Sequence, residues 1–473
     1  MPLHIMQDSP ALRGALQVVH TLRKHGFRAL FAGGCVRDTV MGLQPRDYDI
    51  ATDAAPDEVA RLFPKTCEVG AQFGVVRVQL DGRDYEVARF RKDAAYADGR
   101  HPDRVTYSDE REDALRRDFT LNGMFYDPVE GRIIDYVGGQ ADVQRRVIRA
   151  IGDPERRFAE DHLRLMRAVR FAARYHYAVE DATLTAVRRL SNEIMTVSRE
   201  RIRDELLKTL TEGGAPLGVR MLTDLGLMRR ILPEVCALTG VPQPKEFHPE
   251  GDVLVHTLIM LGLMRDPTPT LAMGVLLHDI GKPPTYEVTD RIRFNNHPKV
   301  GERMTRGICA RLRLSSDETE QIAALVRDHL RFMHVRDMRP STLKRFLRQE
   351  GFEEHLELHR LDCLASHGDL SNWTFCQETL DRLGPEEIRP EPLIDGHDLI
   401  SLGYRPGPPF KRVLAAVEDA QLEGRIRLRE EALALAREEF EKLESVKREE
   451  TSPTPFPPPS PAGEGGGDKG ISP

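Results

Sequence analysis

The stretch that decides the fold is FAGGCVRDTVMGLQPRDYDIATD, residues 31–53. A short apolar run, residues 29–32, leads into Gly33 and Gly34, and Arg37 follows in the next turn of chain. A glycine pair between a strand and a helix lets backbone N–H groups approach a phosphate closely, and a helix N-terminus favours an anion. Arg37 adds a planar set of hydrogen-bond donors. The pattern predicts a phosphate-binding turn.

Two aspartates follow this turn in the run DYDI. The run is typical of a strand, so we expect Asp47 and Asp49 to point to the same face. Two such carboxylates can hold a pair of magnesium ions about 3.5–4 Å apart, as phosphoryl transfer requires. A glycine pair alone is usually only a turn, and a single Asp-x-Asp is usually a solvated pair. The combination is therefore more informative than either half.

Together, GGCVRD and DYD resemble the nucleotidyltransferases that add CCA to tRNA or poly(A) to RNA, whose signature is GGxVRD followed by DxD. The resemblance implies that Asp47 and Asp49 are catalytic and bind Mg²⁺. It also implies that Gly33, Gly34 and Arg37 bind the nucleotide.

Two further motifs extend the resemblance. Glu86, in YEVARFR, matches a family strand that lies beside the metal aspartates, which makes it a third catalytic carboxylate; the alternative is an exposed hairpin charge. Residues 116–122, RRDFTLN, match the second signature of the family, and the match implies that Arg117 contacts the nucleotide. Alone, such a run is more often a surface charge cluster.

Composition limits the class of protein. A chain of 473 residues should contain several domains. Its six cysteines are scattered without a CxxC pair, which indicates a reducing compartment and no zinc ribbon. The most apolar stretch, residues 253–264, is too short to cross a bilayer, and no signal pattern opens the chain. We therefore expect a cytoplasmic protein without a membrane partner.

The order of patterns predicts an α+β protein. Residues 1–150 should form a small α/β nucleotidyltransferase head with a mixed sheet, because alternating runs and a hairpin signal are mixed with short helical segments. Helical patterns predict a neck over residues 151–240 and a C-terminal tail over 386–450. The polar stretch 91–113 favours a long mobile loop. Residues 451–473, with twelve prolines or glycines, should be disordered.

The stretch EDHLRLMRAVRF, residues 160–171, carries the strongest candidate for base recognition. At about 100° per residue, its apolar side chains share one helix face. Asp161, Arg164, Arg167 and Arg170 fall on the other half. The simple alternative is a solvated face. However, residues 144–174 contain nine arginines against four acidic residues, a local excess that can hold an RNA backbone.

The same stretch resembles the family's base-reading motif EDxLRxxRAxRF. Cytosine and adenine both present an amine donor beside a ring-nitrogen acceptor, which an acceptor from Asp161 and donors from Arg164 fit. Uracil and guanine present the opposite polarity and would leave buried polar groups unsatisfied. The resemblance thus implies that CTP and ATP are accepted. It assigns Arg167 and Arg170 to support of this template or to phosphates.

Residues 241–385 contain a second candidate site, because they look like an HD-type phosphohydrolase domain. The residues of interest, in chain order, are His256, His278, Asp279, His297, His329 and Asp362. Four of them could chelate one divalent ion: His256, His278, Asp279 and Asp362. Asp369 is an alternative to Asp362. A working second metal site and a decayed, structural HD domain both remain open.

The resemblance, which covers roughly residues 12–440, implies template-independent addition of CCA to tRNA from CTP and ATP by a two-metal mechanism. The tRNA acceptor arm is the expected partner, with residues 393–425 resembling an RNA-contacting segment; no protein partner is predicted. A poly(A) polymerase or an enzyme that adds only the terminal A is the nearest alternative. The predicted strand 69–80 resembles the CCA-adding type and disfavours the poly(A) polymerase. An enzyme acting chiefly as an HD phosphohydrolase and a non-catalytic RNA-binding scaffold are alternatives of other classes.

Overall fold

The structure, a computed structural model, describes residues 8–68, 74–93, 105–244, 246, 248–249 and 251–451. The start of the predicted strand 69–80, the centre of the predicted loop 91–113 and nearly all of the predicted disordered tail lie outside the described residues. The chain forms two compact units. The first comprises residues 1–333 with 353–373, and the second comprises 334–352 with 374–473.

The strands are β1 (Ala29–Ala32), β2 (Asp49–Thr52), β3 (Thr66–Glu68), β4 (Val75–Leu80), β5 (Arg83–Arg89), β6 (Arg91–Asp93), β7 (Val105–Tyr107), β8 (Met124–Asp127), β9 (Arg132–Asp135), β10 (Val147–Ile148), β11 (Ala178–Val179), β12 (Tyr286–Val288) and β13 (Ile292–Phe294). Seven of them form one sheet in the order β3-β4-β5-β2-β1-β8-β9. Only the β2–β5 pair in this sheet is parallel. The prediction of a mixed sheet is confirmed.

The helices up to residue 333 are α1 (Pro10–Lys24), α2 (Gly34–Val40), α3 (Pro56–Leu62), α4 (Glu110–Leu115), α5 (Gly139–Arg145), α6 (Pro154–Glu160), α7 (Leu163–Tyr175), α8 (Asp181–Arg189), α9 (Arg199–Thr211), α10 (Ala215–Asp224), α11 (Leu227–Ile231), α12 (Pro233–Cys236), α13 (Val253–Leu263), α14 (Pro269–Leu277), α15 (His297–Leu312) and α16 (Ser316–Asp328). The remaining helices are α17 (Pro340–Leu347), α18 (Phe352–Ala365), α19 (Ser371–Arg382), α20 (Pro385–Ile388), α21 (Gly396–Ser401), α22 (Pro408–Leu422) and α23 (Arg429–Thr451).

The centre of the head is the fully buried strand β1, whose sequence ALFA places apolar side chains on both faces of the sheet. Helix α1 packs against this sheet through Val18, Val19 and Leu22, and Ser9 caps its first turn by accepting a hydrogen bond from the Leu12 N–H at 3.1 Å. The glycine turn (Gly33 and Gly34) and strand β2, which begins with Asp49, are therefore both adjacent to a well-packed strand.

The prediction of a loop over residues 91–113 is wrong at its ends, whereas the prediction of a helical remainder is confirmed with two short exceptions. The ends of the expected loop 91–113 are ordered, because β6 pairs with β7 and α4 begins at Glu110. The helical pattern after residue 150 is also interrupted, since β11 pairs in parallel with β10 and β12 forms a hairpin with β13. These strands are only two or three residues long, too short to produce a clear alternating pattern.

The expected helix through the base-reading motif is broken. Helix α6 ends at Glu160 and α7 begins at Leu163, while Asp161 has an extended backbone (φ −155°, ψ 104°). Asp161 therefore does not belong to the polar face of α7. It lies in the corner between two helices, which no periodicity argument could indicate.

The second unit has its own apolar core. Residues from α21, α22 and α23 supply it, including Leu399, Val417 and Ala436, and the rings of Tyr404 and Phe440 stack with centroids 3.7 Å apart. Across the part of the chain described here, no helix combines the length and apolar character needed to cross a membrane.

We expect Gly214→Ala to lower the free energy of unfolding by about 3 kcal/mol. Gly214 has φ +73°, and an added Cβ would lie 2.1 Å from the backbone oxygen of Ala173 on α7. The neighbouring Gly213 also has positive φ (+102°), but nothing lies within 4 Å of its Cβ position. Gly213→Ala should therefore cost only about 1 kcal/mol. Urea denaturation of both variants measures the two free energies of unfolding. Equal decreases would contradict the steric argument.

Candidate active site in the head and neck

Two adjoining cavities contain every head and neck residue singled out from the sequence. One, of about 670 Å³, is lined by Asp47, Asp49 and Glu86. The other, of about 520 Å³, is lined by the predicted nucleotide-binding residues Gly33, Arg117, Asp161, Arg164, Arg167 and Arg170. Gly34, Arg37 and Asp49 line both. The acidic group and the arginine group thus meet at the glycine turn.

The three predicted catalytic carboxylates come together, although not all by the predicted route. Asp49 is the first residue of β2, and the parallel register that pairs Ile50 with Val87 places it beside Glu86 on β5. Asp47 precedes the strand, so the prediction that strand alternation aligns it with Asp49 is wrong. It reaches the same cavity from the preceding loop.

The negative charges of these three carboxylates lie close enough to affect the pKa of Asp49. Asp49 is open to solvent on one side, but the protein around its carboxylate and the negative charges of Glu86 and Asp47 raise its pKa to about 6, despite the opposing charges of Arg117 and Arg37. Converging carboxylates that repel one another are the donor set that divalent cations bind. Asp47, Asp49 and Glu86 are therefore candidate metal ligands that line one cavity.

The first glycine of the turn is required by geometry. Gly33 has φ +68°, and a Cβ at this position would lie 3.0 Å from Nη1 of Arg117. Arg37, one turn into α2, is buried and donates from Nη1 to Oδ1 of Asn122 at 2.9 Å. Its guanidinium also lies 5.4 Å from the ring centre of Phe171 on α7. Arg37 is therefore held in place from the head and from the neck.

Arg117 depends on a residue that sequence reasoning missed. Asp113 on α4 is buried and accepts from Arg117 Nη2 at 3.0 Å and from Arg116 Nη2 at 2.6 Å. Burial alone would raise the pKa of Asp113, but the charges of Arg117 and Arg116 lower it below its usual value. Asp113 lies within the polar stretch expected to be a loop, where no pattern distinguished it from its neighbours.

Asp118, the aspartate of RRDFTLN, joins the head to the neck. Its Oδ2 accepts from Arg167 Nη2 on α7 at 2.6 Å, and its Oδ1 accepts from Nδ2 of Asn122 at 3.0 Å. Asn122 in turn accepts from Arg37. Burial would raise the pKa of Asp118, but Arg167 and Asn122 outweigh it and lower this pKa to about 2. One buried carboxylate thereby connects the glycine turn with the arginine-rich helix.

The predicted base-reading pair has partners of its own. Asp161 accepts from Nη2 of Arg201 on α9 at 2.7 Å and from its Nη1 at 3.1 Å. Arg164 donates from Nη1 to Oε2 of Glu160 at 2.6 Å and to the backbone oxygen of Arg157 at 2.8 Å. Arg201 was missed, because the charge-rich run 199–205 gives no sign of which arginine faces the corner.

The alternative of a solvated arginine face on α7 is wrong. Arg164 and Arg170 are both less than a tenth exposed. Arg170 donates to Glu205 on α9 at 2.5 Å and to Glu212 at 2.9 Å. These contacts make Arg170 part of the packing between α7 and α9.

The HD-type residues separate into two groups. The ligand atoms of His256, His278 and Asp362 lie within 4.8 Å of one another, and so do those of Asp279, His297 and His329. The expected quartet is therefore divided, with Asp279 in the second group. The 3.1 Å contact between His256 Nε2 and Asp362 Oδ1 favours Asp362 over Asp369. Burial lowers the pKa of His329 to about 3 and also lowers that of His297, so both rings are neutral near pH 7.

Family models match three parts of the chain. Residues 29–149 match the poly A polymerase head domain, residues 176–238 match the probable RNA and SrmB-binding site of polymerase A, and residues 254–359 match the HD domain. With the seven-stranded sheet and its carboxylate cluster, these matches define a protein with a head domain of the poly A polymerase type. Nucleotidyltransferase and HD domains are metal-dependent, and among the described residues the HD-type region contains two groups of side chains that could hold a metal ion.

Sequence comparison with known proteins identifies relatives along most of the chain. The chain is 44% identical over 197 residues to the CCA-adding enzyme of Bacillus pumilus, a match that covers 41% of this chain and 49% of the relative. The chain thus spans about half the length of the first curated relatives it matches. With the CCA-adding enzyme of Lactobacillus johnsonii, identity is 30% over 420 residues, covering 89% of this chain and 95% of the relative.

A solved structure agrees with these matches. The Bacillus stearothermophilus CCA-adding enzyme, determined in complex with CTP, superposes with a TM-score of 0.70 at 26% identity, covering 93% of this chain and 100% of that one. The chain belongs to the CCA-adding enzyme family.

The ion pair between Asp118 and Arg167 should make the stability of the protein depend on pH. Because the pKa of Asp118 is lower in the folded protein (about 2) than its ordinary value of 3.8, its stabilising contribution is complete above about pH 4 and is lost as the pH falls toward 2. The contribution is about 2 kcal/mol. Asp118→Asn should be less stable than the parent at pH 7, and the difference should shrink below pH 4.

Urea denaturation across pH 2.5–7 measures this difference. Asp8→Asn is the control, because Asp8 pairs with Arg13 at the exposed surface. If the two variants show the same pH dependence, Asp118 does not carry the charge interaction assigned to it.

Proposed function

We propose that this chain adds CCA to the 3′ end of tRNA from CTP and ATP without a nucleic acid template. The observation that carries the proposal is the joining of two cavities at Asp49 and Arg37, one with three carboxylates and the other with the base-reading residues. A triphosphate lying across the shared turn would present its α-phosphate to the carboxylate cluster and its base to Asp161 and Arg164. Membership in the CCA-adding enzyme family supports the same reaction.

Asp47 and Asp49 would hold Mg²⁺, with Glu86 as the third carboxylate. Bound ions would polarise the α-phosphate and make the RNA 3′-hydroxyl a better nucleophile. The protein's own contribution is positional. The backbone at Gly33 and Gly34 leaves space for phosphate oxygens, and Arg37 and Arg117 present fixed positive charge beside them.

Base selection would depend on two partly paired side chains. Asp161 can accept from the exocyclic amine of cytosine or adenine, and Arg164 can donate to the neighbouring ring nitrogen. Arg201 and Glu160 already hold these groups in position, so little ordering is needed when a base arrives. Uracil and guanine would place an N–H donor against the Arg164 guanidinium and a carbonyl acceptor against the Asp161 carboxylate. Neither contact could form a hydrogen bond.

The supporting roles follow from the contacts. Arg167 would orient the template helix through Asp118, and Arg170 would hold α7 against α9. The head (1–150), the neck (151–240), the HD-type region (241–385) and the tail (386–450) would act as separate parts. The neck and the tail would hold the tRNA acceptor arm by shape and backbone contacts. Such a tRNA substrate is consistent with a cytoplasmic location.

The main test is incorporation of labelled nucleotides into tRNA that lacks its 3′ end. The parent should add C, then A, and stop. Asp49→Ala should lower the rate about 10³-fold or more, because stabilisation of the transferring phosphoryl group is worth several kcal/mol. Asp57→Asn is the matched control, since Asp57 is exposed on α3 and pairs with Arg61 at the surface. Unlimited A addition would instead identify a poly(A) polymerase, and an active Asp49→Ala would reject the carboxylate centre.

A second test concerns base selection. Asp161→Ala should reduce CTP and ATP incorporation about 10²-fold and raise the relative use of UTP, because the acceptor that discriminates the base edge is lost. Arg201→Ala should show the same change in selectivity with a smaller loss of rate, since Asp161 remains but is less fixed. Arg189→Ala, which removes an exposed ion pair with Glu155, is the control. Unchanged selectivity in Asp161→Ala would contradict the template.

A further inference from the structure

We propose that Phe171 on α7 is a positioning residue for nucleotide binding. Its ring holds Arg37, on the triphosphate side of the cleft, in a fixed relation to Arg167 and Arg170, on the base side. Phe171 has no group that could donate to a phosphate or pair with a base edge, so its contribution is to orientation alone. The inference rests on the function proposed above, because it concerns the nucleotide site of that reaction.

Three guanidinium groups lie against the ring of Phe171. The central carbon of the Arg170 guanidinium lies 4.3 Å from the ring centre, that of Arg167 lies 5.2 Å away and that of Arg37 lies 5.4 Å away. A cation within about 6 Å of the centre of an aromatic ring is attracted to its face, and more strongly where water is excluded. Phe171 is buried. One ring therefore contacts an arginine of the head and two arginines of the neck.

The orientation of this ring is fixed by two other aromatic side chains. Phe119 of the head meets Phe171 edge to face, with ring centres 5.8 Å apart and an angle of 81° between the ring planes. Tyr175, one turn further along α7, is stacked almost parallel to Phe171, with ring centres 6.2 Å apart and an angle of 10°. Both arrangements are favourable for aromatic pairs. The plane of the Phe171 ring is therefore defined from two directions.

Tyr175 provides a second aromatic contact to Arg37. The central carbon of the Arg37 guanidinium lies 5.3 Å from the centre of the Tyr175 ring. The Tyr175 hydroxyl donates to Oδ1 of Asp38 at 3.4 Å, and the same oxygen accepts from Nε of Arg37 at 2.8 Å. Arg37 is thus held by Asp38 through a hydrogen bond and by two aromatic rings through its charge.

An aromatic side chain at position 171 answers a problem of like charge. Arginine is always protonated near neutral pH, so guanidinium groups that share one apolar surface repel one another. An aromatic face offsets part of this repulsion without adding a negative charge, which leaves the positive field available to a triphosphate. A leucine at position 171 would keep the surface apolar but would offer neither the quadrupole nor a flat face to a guanidinium.

The role of the ring determines which steps its loss should affect. In the proposed reaction, Arg37 faces the triphosphate, and Asp161 with Arg164 reads the base. The ring acts on CTP and ATP through the same arginines, so its loss should weaken the binding of both nucleotides equally. Base choice should not change, because Phe171 makes none of the contacts that discriminate the base edge.

Steady-state kinetics with tRNA that lacks its 3′ end tests this role. Phe171→Leu should raise KM for CTP and KM for ATP about tenfold, the size expected when buried cation–π contacts are lost. KM for tRNA and the relative use of CTP and UTP should stay as in the parent. Phe171→Tyr retains the aromatic face and should recover most of the affinity that Phe171→Leu loses.

Phe158→Leu is the matched control. Phe158 on α6 is also buried and packs against Phe119, with ring centres 6.4 Å apart, but it lines neither cavity of the cleft. The two leucine variants therefore lose similar packing, which thermal denaturation compares. Tyr175→Leu, at a less buried position, removes the second ring beside Arg37 and should raise KM for both nucleotides in the same way by a smaller factor.

Calorimetric binding of a nonhydrolysable CTP analogue gives a readout that does not depend on turnover. Parent and Phe158→Leu should bind the analogue equally, and Phe171→Leu should bind it about tenfold more weakly. Equal binding by parent and Phe171→Leu, or an equal loss in Phe158→Leu, overturns the positioning role. Unequal changes for CTP and ATP also overturn it and place the base against the ring. A parent that neither binds the analogue nor adds C rejects the function proposed above, and this inference with it.

Discussion

The contact on which the active cleft depends is the ion pair between Asp118 and Arg167. Asp118 belongs to the head, Arg167 to α7 of the neck, and Asn122 extends the connection to Arg37 behind the glycine turn. A buried carboxylate without its partner would be unfavourable by several kcal/mol, so head and neck are held in one arrangement. That arrangement fixes the distance between the carboxylates Asp47, Asp49 and Glu86 and the corner that carries Asp161.

The arginines of α7 are largely buried, and each has an acidic partner. Arg164, Arg167 and Arg170 each have an acidic partner on another element or on the preceding helix, namely Glu160, Asp118 and Glu205. Paired in this way, they have a defined orientation beside the cleft. In the proposed reaction a base would meet a preorganised set of donors and acceptors, which would lower the entropy cost of ordering them.

In the HD-type region, histidine side chains are also held in a defined orientation by neighbouring groups. Backbone carbonyls select one tautomer of His278, His297 and His329, and the fold then directs their lone pairs toward Asp279. Sequence reasoning identified Asp279 but assigned it to one ion with His256, His278 and Asp362. The division into two groups depends on which way each ring turns, and spacing along the chain carries no such information.

Local chemistry by itself was enough to predict the mixed-sheet head, the glycine turn and an acidic residue at Asp49, because these depend on side-chain periodicity and on the freedom of glycine at positive φ. The choice of Glu86 came from the resemblance to a known family. Tertiary structure alone decided the corner at Asp161, the burial of Arg170, and the pairing of Asp113 with Arg117 and of Arg201 with Asp161. Those features join residues 4 to 40 positions apart in the chain. The cost of an unpaired buried charge selects such partners only once the helices have packed.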